Sequence, residues 1–297
     1  MASELKGVVT PLLTPFNDTG AIAESLYHAH AADMLAGGSH YLSPFGTTGE
    51  ATSVPTAARM VALERLVESG TARPDQLMPG TGLAALADSA FLTRHALDLG
   101  VAAVMVLPPF FYADASDEGL YRYFATLIED LASDRLRVCL YHIPQNTRVG
   151  ISPELAGRLA RDFPGIVAGY KDSSGNWENT LTVIQAAPSI SVFPASEALL
   201  PQALEAGAAG CISATCNVNI RAIRALYDGL ISGDGGTDDR MPDIRRIREA
   251  VAAAGLIPAM KSVMAKKTGD DRWLTCLPPL RDAPEKLPAG LEDLVGL

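Results

Sequence analysis

The sequence predicts an α/β chain built as a (β/α)8 barrel with a C-terminal helical extension, and two observations carry that prediction. Short β-branched or apolar runs alternate with longer segments of helical period, and the alternation recurs about eight times before the composition changes. At 297 residues, 48% hydrophobic and 20% charged, the chain is large enough for one big domain or two modest ones. Eight βα units in one chain point to the closed barrel. An open doubly wound sheet is the alternative, but no G-x-G-x-x-G follows an early strand.

Taken in order, the strands are expected at residues 7–13, 40–45, 76–80, 102–107, 137–143, 166–170, 191–194 and 210–213. Amphipathic stretches at 22–36, 56–69, 84–99, 117–132, 153–162, 177–186 and 197–206 supply the helices between them. Ser152-Pro153 opens one helix with a cap and a first-turn proline, and Gly70, Gly100 and Gly207 close others. After the eighth unit a turn-rich acidic run, 232–239, leads into a helix at 243–254. This divides the chain into a catalytic barrel, 1–230, and a helical region packed on it, 231–297. Lys261, Lys266 and Lys267 are expected on the surface of that region, and Leu277-Pro278-Pro279-Leu280 with the Pro-rich end as an extended tail.

A net charge of -10 argues against nucleic acid or an anionic membrane surface as partner, since both call for a basic face. No run reaches the ~18 apolar residues of a membrane span, and Met1-Ala2-Ser3-Glu4 leads into strand-like sequence without a signal segment, so a cytoplasmic location is expected. Cys139, Cys211, Cys216 and Cys276 contain no C-x-x-C and read as reduced core residues, with Cys211 or Cys216 the candidates to line a site.

The residue that stands out is Lys171. Between Gly7 and Met260 it is the only lysine, and it follows the apolar run Ile166-Val167-Ala168-Gly169-Tyr170. Arginine cannot do what an amine there could do, because a guanidinium stays protonated, whereas an ammonium in an apolar pocket gives up its proton more easily and attacks a carbonyl. The competing reading is a buried lysine paired with a carboxylate such as Asp172 or Glu197. Catalytic groups in a barrel gather where strands end, and Tyr141, in Val138-Cys139-Leu140-Tyr141-His142-Ile143-Pro144, passes that filter as a phenol able to exchange protons with an amine adduct. So does Gly46-Thr47-Thr48-Gly49-Glu50, a loop rich in donors that precedes a helix and suits a carboxylate. Glu50 reads as a brace for that loop. Strand alternation points His142 away from the barrel interior. His28 and His30 are expected on the surface of an outer helix. The scattered histidines form no H-x-H or H-E-x-x-H, so neither metal nor cofactor is called for.

Together with Val9-Thr10-Pro11, Thr14-Pro15-Phe16, Pro108-Pro109-Phe110-Phe111-Tyr112 and Gly169-Tyr170-Lys171-Asp172-Ser173-Ser174-Gly175, these motifs resemble the dihydrodipicolinate synthase and N-acetylneuraminate lyase family of pyruvate-type Schiff-base aldolases, over nearly the whole chain. The resemblance implies a homotetramer built as a dimer of dimers. It also implies that Lys171 forms an imine with a 2-keto acid, that Tyr141 shuttles protons, and that Thr47 and Thr48 hold the carboxylate, with Thr47 joining the relay. Gly46, Thr48, Ile212, Ala195, Ser196, Glu197 and Asn146 make up the substrate-binding set.

Four departures bear on the substrate. Where the synthases supply a relay tyrosine to the neighbouring subunit, this chain has Phe111, and a phenyl ring passes no proton. Where they bind an aldehyde carboxylate with arginine, it has Asn146, although Arg148 lies two residues on. Where the sialate lyases read Gly-x-Asp-Glu, it has Ala195-Ser196-Glu197 after Pro194, and they read Ser-Thr in place of Thr47-Thr48. Phe110, Phe111 and Tyr112 are read as mouth or subunit packing, with Tyr112 a candidate substitute for the missing phenol. The expected activity is carbon-carbon cleavage or formation next to pyruvate, on a 2-keto-3-deoxy sugar acid or a 4-hydroxy-2-oxo acid. A dihydrodipicolinate synthase-type condensation, a 2-keto-3-deoxy acid dehydratase and a non-catalytic keto-acid-binding regulatory barrel are the alternatives.

Overall fold

Strand and helix alternate from Gly7 onward in the computed structural model, which describes residues 5–233, 239–284, 286–287 and 290–297. The order is β1 (Gly7–Pro11), α1 (Glu24–Ala36), β2 (Tyr41–Ser43), α2 (Thr56–Glu68), α3 (Leu86–Asp98), β3 (Val104–Val106), α4 (Asp117–Leu131) and β4 (Val138–His142). It continues through α5 (Pro144–Thr147), α6 (Pro153–Asp162), β5 (Val167–Asp172), α7 (Trp177–Ala186), β6 (Ser191–Pro194), α8 (Leu200–Glu205) and β7 (Gly210–Ile212). Helices α9 (Cys216–Ser232), α10 (Met241–Ala253), α11 (Leu256–Thr268) and α12 (Leu291–Val295) close the chain. Of the sequence expectations, Met1 to Glu4, part of the acidic turn run (234–238) and part of the Pro-rich end (285, 288–289) lie outside the described residues. Among the described residues no helix is long and apolar enough to cross a membrane.

By packing, the chain divides into two units, one centred on Pro74–Ile212 and the other made of Val8–Arg73 with Ser213–Leu297. In the first, β3, β4, β5 and β6 form a parallel sheet in sequence order. Nearly every strand residue is buried, because a parallel sheet covered by crossover helices has no wet face and so reads as continuous apolar sequence. Helix α6 begins as its sequence foretold, with Pro153 in the first turn and Ser152 Oγ accepting from Leu155 N at 3.1 Å. The strand expected at 76–80 is reduced to a single parallel bridge, Gly80 to Met105, after a 3-10 turn at Pro74–Gln76. Pro79 has no N–H to give the ladder, although its carbonyl still accepts from Met105 N at 2.9 Å. The helix expected at 197–206 is likewise split, with a 3-10 turn at Glu197–Leu199 preceding α8.

In the second unit β1 and β2 pair in parallel, Val9 opposite Tyr41 and Pro11 opposite Ser43. Its core gathers Leu13, Ile247, Val251, Met260, Val263, Trp273 and Leu291. Two surface expectations fail here, each because a polar side chain finds a buried partner far away in sequence. His30 is buried: its ring meets Trp273 edge-on at 5.1 Å, and its Nε2 lies 2.8 Å from Asn217 Oδ1. Asn217 Nδ2 donates to the carbonyls of Pro11 and Ala214, while Oδ1 accepts from Leu13 N, so the amide's orientation is fixed and His30 Nε2 must carry the proton. Lys261 is fully buried on α11, ion-paired with Glu50. The segment 277–280 stays at the surface as expected, with Pro278, Pro279 and Leu280 exposed, but it is tied down, Leu277 N donating to Glu50 Oε2 at 2.7 Å and Ser53 Oγ to Pro278 O at 2.8 Å, and a further helix, α12, follows it.

Candidate active site

Strand β5 runs through Lys171 rather than stopping before it, and its register sets Lys171 opposite Tyr141 on β4 and Phe193 on β6. Residues in register on neighbouring parallel strands share a face, so the amine and the phenol ring are brought together by the ladder itself. Lys171 and Tyr141 are each 3% exposed, and Lys171 Nζ lies 4.1 Å from the centre of the Tyr141 ring. Cys139, two residues before Tyr141, is held as a thiol, pushed up to about 12 by burial. All four cysteines are free and buried.

The opposite face explains why Lys171 is not neutralised by the carboxylate next to it in the chain. Asp172 Oδ1 accepts from the amide and hydroxyl of Ser174 at 2.9 and 2.6 Å, and Oδ2 accepts from Asn179 Nδ2 and Thr180 Oγ1 at 2.8 and 2.7 Å. All four donors belong to the turn after β5 and the start of α7. Among the described residues Lys171 Nζ has neither an ion pair nor a hydrogen bond, and the Tyr141 ring is the group it faces. His142 turns away, as alternation required: its ring stacks on Tyr170 at 5.7 Å, its Nδ1 accepts from Ile151 N at 2.9 Å, and burial lowers its pKa despite Asp172 nearby. Sequence reading missed the Asp172 clamp, although Asp-x-Ser followed by Asn179-Thr180 at the start of a helix was a visible signal.

Of the remaining expected residues in this unit, Ala195 and Ser196 are half-buried just past β6, with Ala195 N donating to Asp172 O at 2.8 Å. Glu197 and Ile212 are fully buried. Asn146 is exposed on the one-turn helix α5, and Arg148, also exposed, follows with a φ of 60°. Phe111 and Tyr112 are 84% and 71% exposed and meet edge to face at 5.7 Å. Among the described residues no three His, Cys, Asp or Glu side chains gather as a metal site.

The loop after β2 belongs to the second unit. Gly49, Glu50 and Ala51 spend their amides on the carbonyls of Gly46 and Thr47, at 3.1 to 3.2 Å, which narrows the expected cradle to Gly46, Thr47 and Thr48. Thr48 is buried and Thr47 half-buried. Thr14 Oγ1 donates to Gly49 O at 2.9 Å, and a Cβ on Gly49 would stand 2.8 Å from Leu12 O, so only glycine lets the loop close this tightly on the strand before it. Glu50 follows with a left-handed φ of 56° and a buried side chain.

The model of the dihydrodipicolinate synthetase family matches residues 4–295. The chain belongs to this family. It is 33% identical over 298 residues to an uncharacterized DapA-like lyase of Chloroflexus aurantiacus, covering 99% of this chain and 95% of the relative. It is 35% identical over 230 residues to a 4-hydroxy-tetrahydrodipicolinate synthase of Thermus thermophilus, covering 77% of this chain and 75% of that one. Among solved structures, dihydrodipicolinate synthase of Agrobacterium tumefaciens superposes with a TM-score of 0.87 at 29% identity over 98% of both chains. The CdNal protein of Clostridium difficile, solved in complex with mannosamine, shares the fold at a TM-score of 0.86 and 20% identity over 99% of this chain and 98% of that one. The family's fold is the (β/α)8 barrel with C-terminal helices that the alternation of elements predicted.

Proposed function

We propose that this member of the dihydrodipicolinate synthetase family is a Schiff-base-forming lyase, an aldolase acting on pyruvate and a 2-keto acid, with a 2-keto-3-deoxy sugar acid or a 4-hydroxy-2-oxo acid as the substrate class. The observation that carries the proposal is the buried pairing of Lys171 with Tyr141, an amine 4.1 Å from a phenol ring and unclaimed by the carboxylate beside it. In the cleavage direction Lys171 Nζ attacks C2, and loss of water leaves a protonated imine. Tyr141 takes the proton of the C4 hydroxyl with Thr47 in the relay, the C3–C4 bond breaks toward the imine, and an aldehyde leaves. Protonation of the resulting enamine at C3 and hydrolysis of the imine return pyruvate and the free amine. Thr47 and Thr48, with Gly46, are the proposed holders of the substrate carboxylate, and Ala195, Ser196, Glu197, Ile212 and Asn146 the groups that meet the rest of the substrate.

The chemistry calls for neither metal nor organic cofactor. A homotetramer is the proposed assembly, supported by the exposed Phe111 and Tyr112, and a cytoplasmic location accompanies it. Domain limits at 1–230 and 231–297 are part of the same proposal. The similarity to 4-hydroxy-tetrahydrodipicolinate synthases favours condensation of pyruvate with an aldehyde as the second reading, against which stand Phe111 and Asn146.

Two measurements test this. Borohydride reduction in the presence of pyruvate should add the mass of one reduced imine, at Lys171; no adduct, or one that persists in Lys171→Ala, overturns the Schiff-base proposal and leaves the regulatory barrel standing. A panel of 2-keto acids assayed for pyruvate release then names the substrate. Faster condensation of pyruvate with aspartate semialdehyde would replace the lyase reading with the synthase one, and loss of water without carbon-carbon cleavage would replace it with a dehydratase.

A further inference from the structure

Lys261 and Glu50 form a charge pair sealed inside the second unit, and the groups they touch come from three separate stretches of chain. Lys261 Nζ donates to Thr275 O at 2.7 Å, is ion-paired with Glu50, and lies 4.4 Å from the centre of the Phe16 ring, so the three directions of the ammonium are each occupied. Glu50 in turn accepts from Leu277 N through its other oxygen. The pair thus ties together the turn after β1 at Phe16, the loop 46–50, and the segment 275–277. Two further bonds repeat the pattern, Thr14 to Gly49 O and Ser53 to Pro278 O. A buried ion pair is a poor source of stability, because desolvating both charges offsets most of their attraction and apolar side chains of similar volume would often serve as well. It is a good source of position, because neither buried charge can move away from the other without being left uncompensated. Glu50 makes this pair from a left-handed φ of 56°, and Thr47 and Thr48 stand three and two residues before it in the same loop.

We propose that Glu50 and Lys261 are positioning residues for carboxylate recognition: held by the C-terminal segment, they set the Thr47–Thr48 loop in the conformation that accepts a substrate carboxylate. This rests on the Schiff-base reading above, which makes that loop a carboxylate holder. Its consequence is selective. Disturbing the pair weakens binding of a 2-keto acid through its carboxylate and leaves imine formation at Lys171 intact.

The test uses the full chain, borohydride trapping, and two probes, pyruvate and its uncharged methyl ester. Glu50→Gln keeps the side chain's shape and its bond from Leu277 N while removing the charge; Glu50→Gln with Lys261→Met removes both charges together and leaves neither uncompensated. Both variants should need about tenfold more pyruvate for half-maximal labelling, with labelling at saturation retained and the methyl pyruvate curve unmoved. Parallel shifts for the two probes, or no shift for either, overturn the positioning role, as does loss of folding in both variants, which would mark the pair as structural support alone. Failure of the wild-type protein to label with pyruvate would sink the Schiff-base reading instead, so the two failures are distinguishable.

Discussion

Tyr141 and Lys171 face one another across β4 and β5, while Asp172, the next residue along, turns its carboxylate to four donors on the opposite side of the sheet. The strand's alternation separates an amine from the carboxylate nearest to it in the chain and delivers it to a phenol thirty residues earlier.

Replacing Tyr141 with Phe keeps the ring beside Lys171 and removes the hydroxyl. Turnover with the best keto acid from the panel should fall by about 10²–10⁴-fold, the range for losing a positioned proton-transfer group. Steady-state kinetics decide it, and a loss under tenfold would take Tyr141 out of the relay.

Lys171→Ala should abolish the pyruvate adduct and turnover with it, without unfolding the protein. The amine makes no ion pair or hydrogen bond among the described residues, so its removal breaks none. Mass spectrometry after borohydride and a thermal melt on the same sample separate the chemical effect from the structural one.

Asp172→Ala strands Asn179 and Thr180, whose donors both point at the lost Oδ2. The expected cost is about 3 kcal/mol of stability, since buried donors to a charged acceptor lose more than neutral ones. A urea titration reads it. If Asp172 instead served Lys171 directly, activity would fall at temperatures where the variant is still fully folded.

Burial holds His30 at about 4, well below its usual 6.5. Because the folded value lies below the unfolded one, the contribution is complete above about pH 6.5 and is lost as pH falls through about 4. This group alone should make the protein about 2 kcal/mol less stable at pH 5 than at pH 7. Comparing urea midpoints of the wild type and His30→Asn at both pH values isolates it; identical pH dependence in the two proteins would show that His30 is protonated as easily folded as unfolded.

Gly49→Ala places a methyl 2.8 Å from Leu12 O, against backbone that has little room to move. A loss of about 1–3 kcal/mol in stability is expected from the overpacking, with weaker labelling by pyruvate as the loop 46–50 shifts. Crystallography of the variant would show whether Thr47 and Thr48 have moved.

Much of this protein can be read in its residues. The alternation of apolar runs with amphipathic stretches located seven of the eight expected strands to within a few positions, and helices 153–162 and 177–186 without error, but it left α5, α9, α11 and α12 unread. Lys171 was legible because one amine in an apolar strand contrasts with arginines everywhere around it. His142 was legible because a period of two fixes which face a strand residue takes. The third strand was misread because an apolar stretch does not reveal how many ladder bonds Pro79 leaves unmade.

What the sequence by itself determined is therefore local and periodic: the order of the elements, the faces of β4 and β5, and the identity of the amine and phenol at their ends. What only the tertiary structure decided is which charges and polar rings are buried. Lys261, flanked by other lysines near the chain's end, resembled a surface residue, and His30 resembled one exposed group on an outer helix. Both are interior because Glu50, Thr275 and Asn217 meet them across the fold. Burying a charge or a polar ring depends on the partner that compensates it, and with that partner as many as 211 residues away in the chain for Lys261 and Glu50, no pattern of neighbouring residues records the meeting.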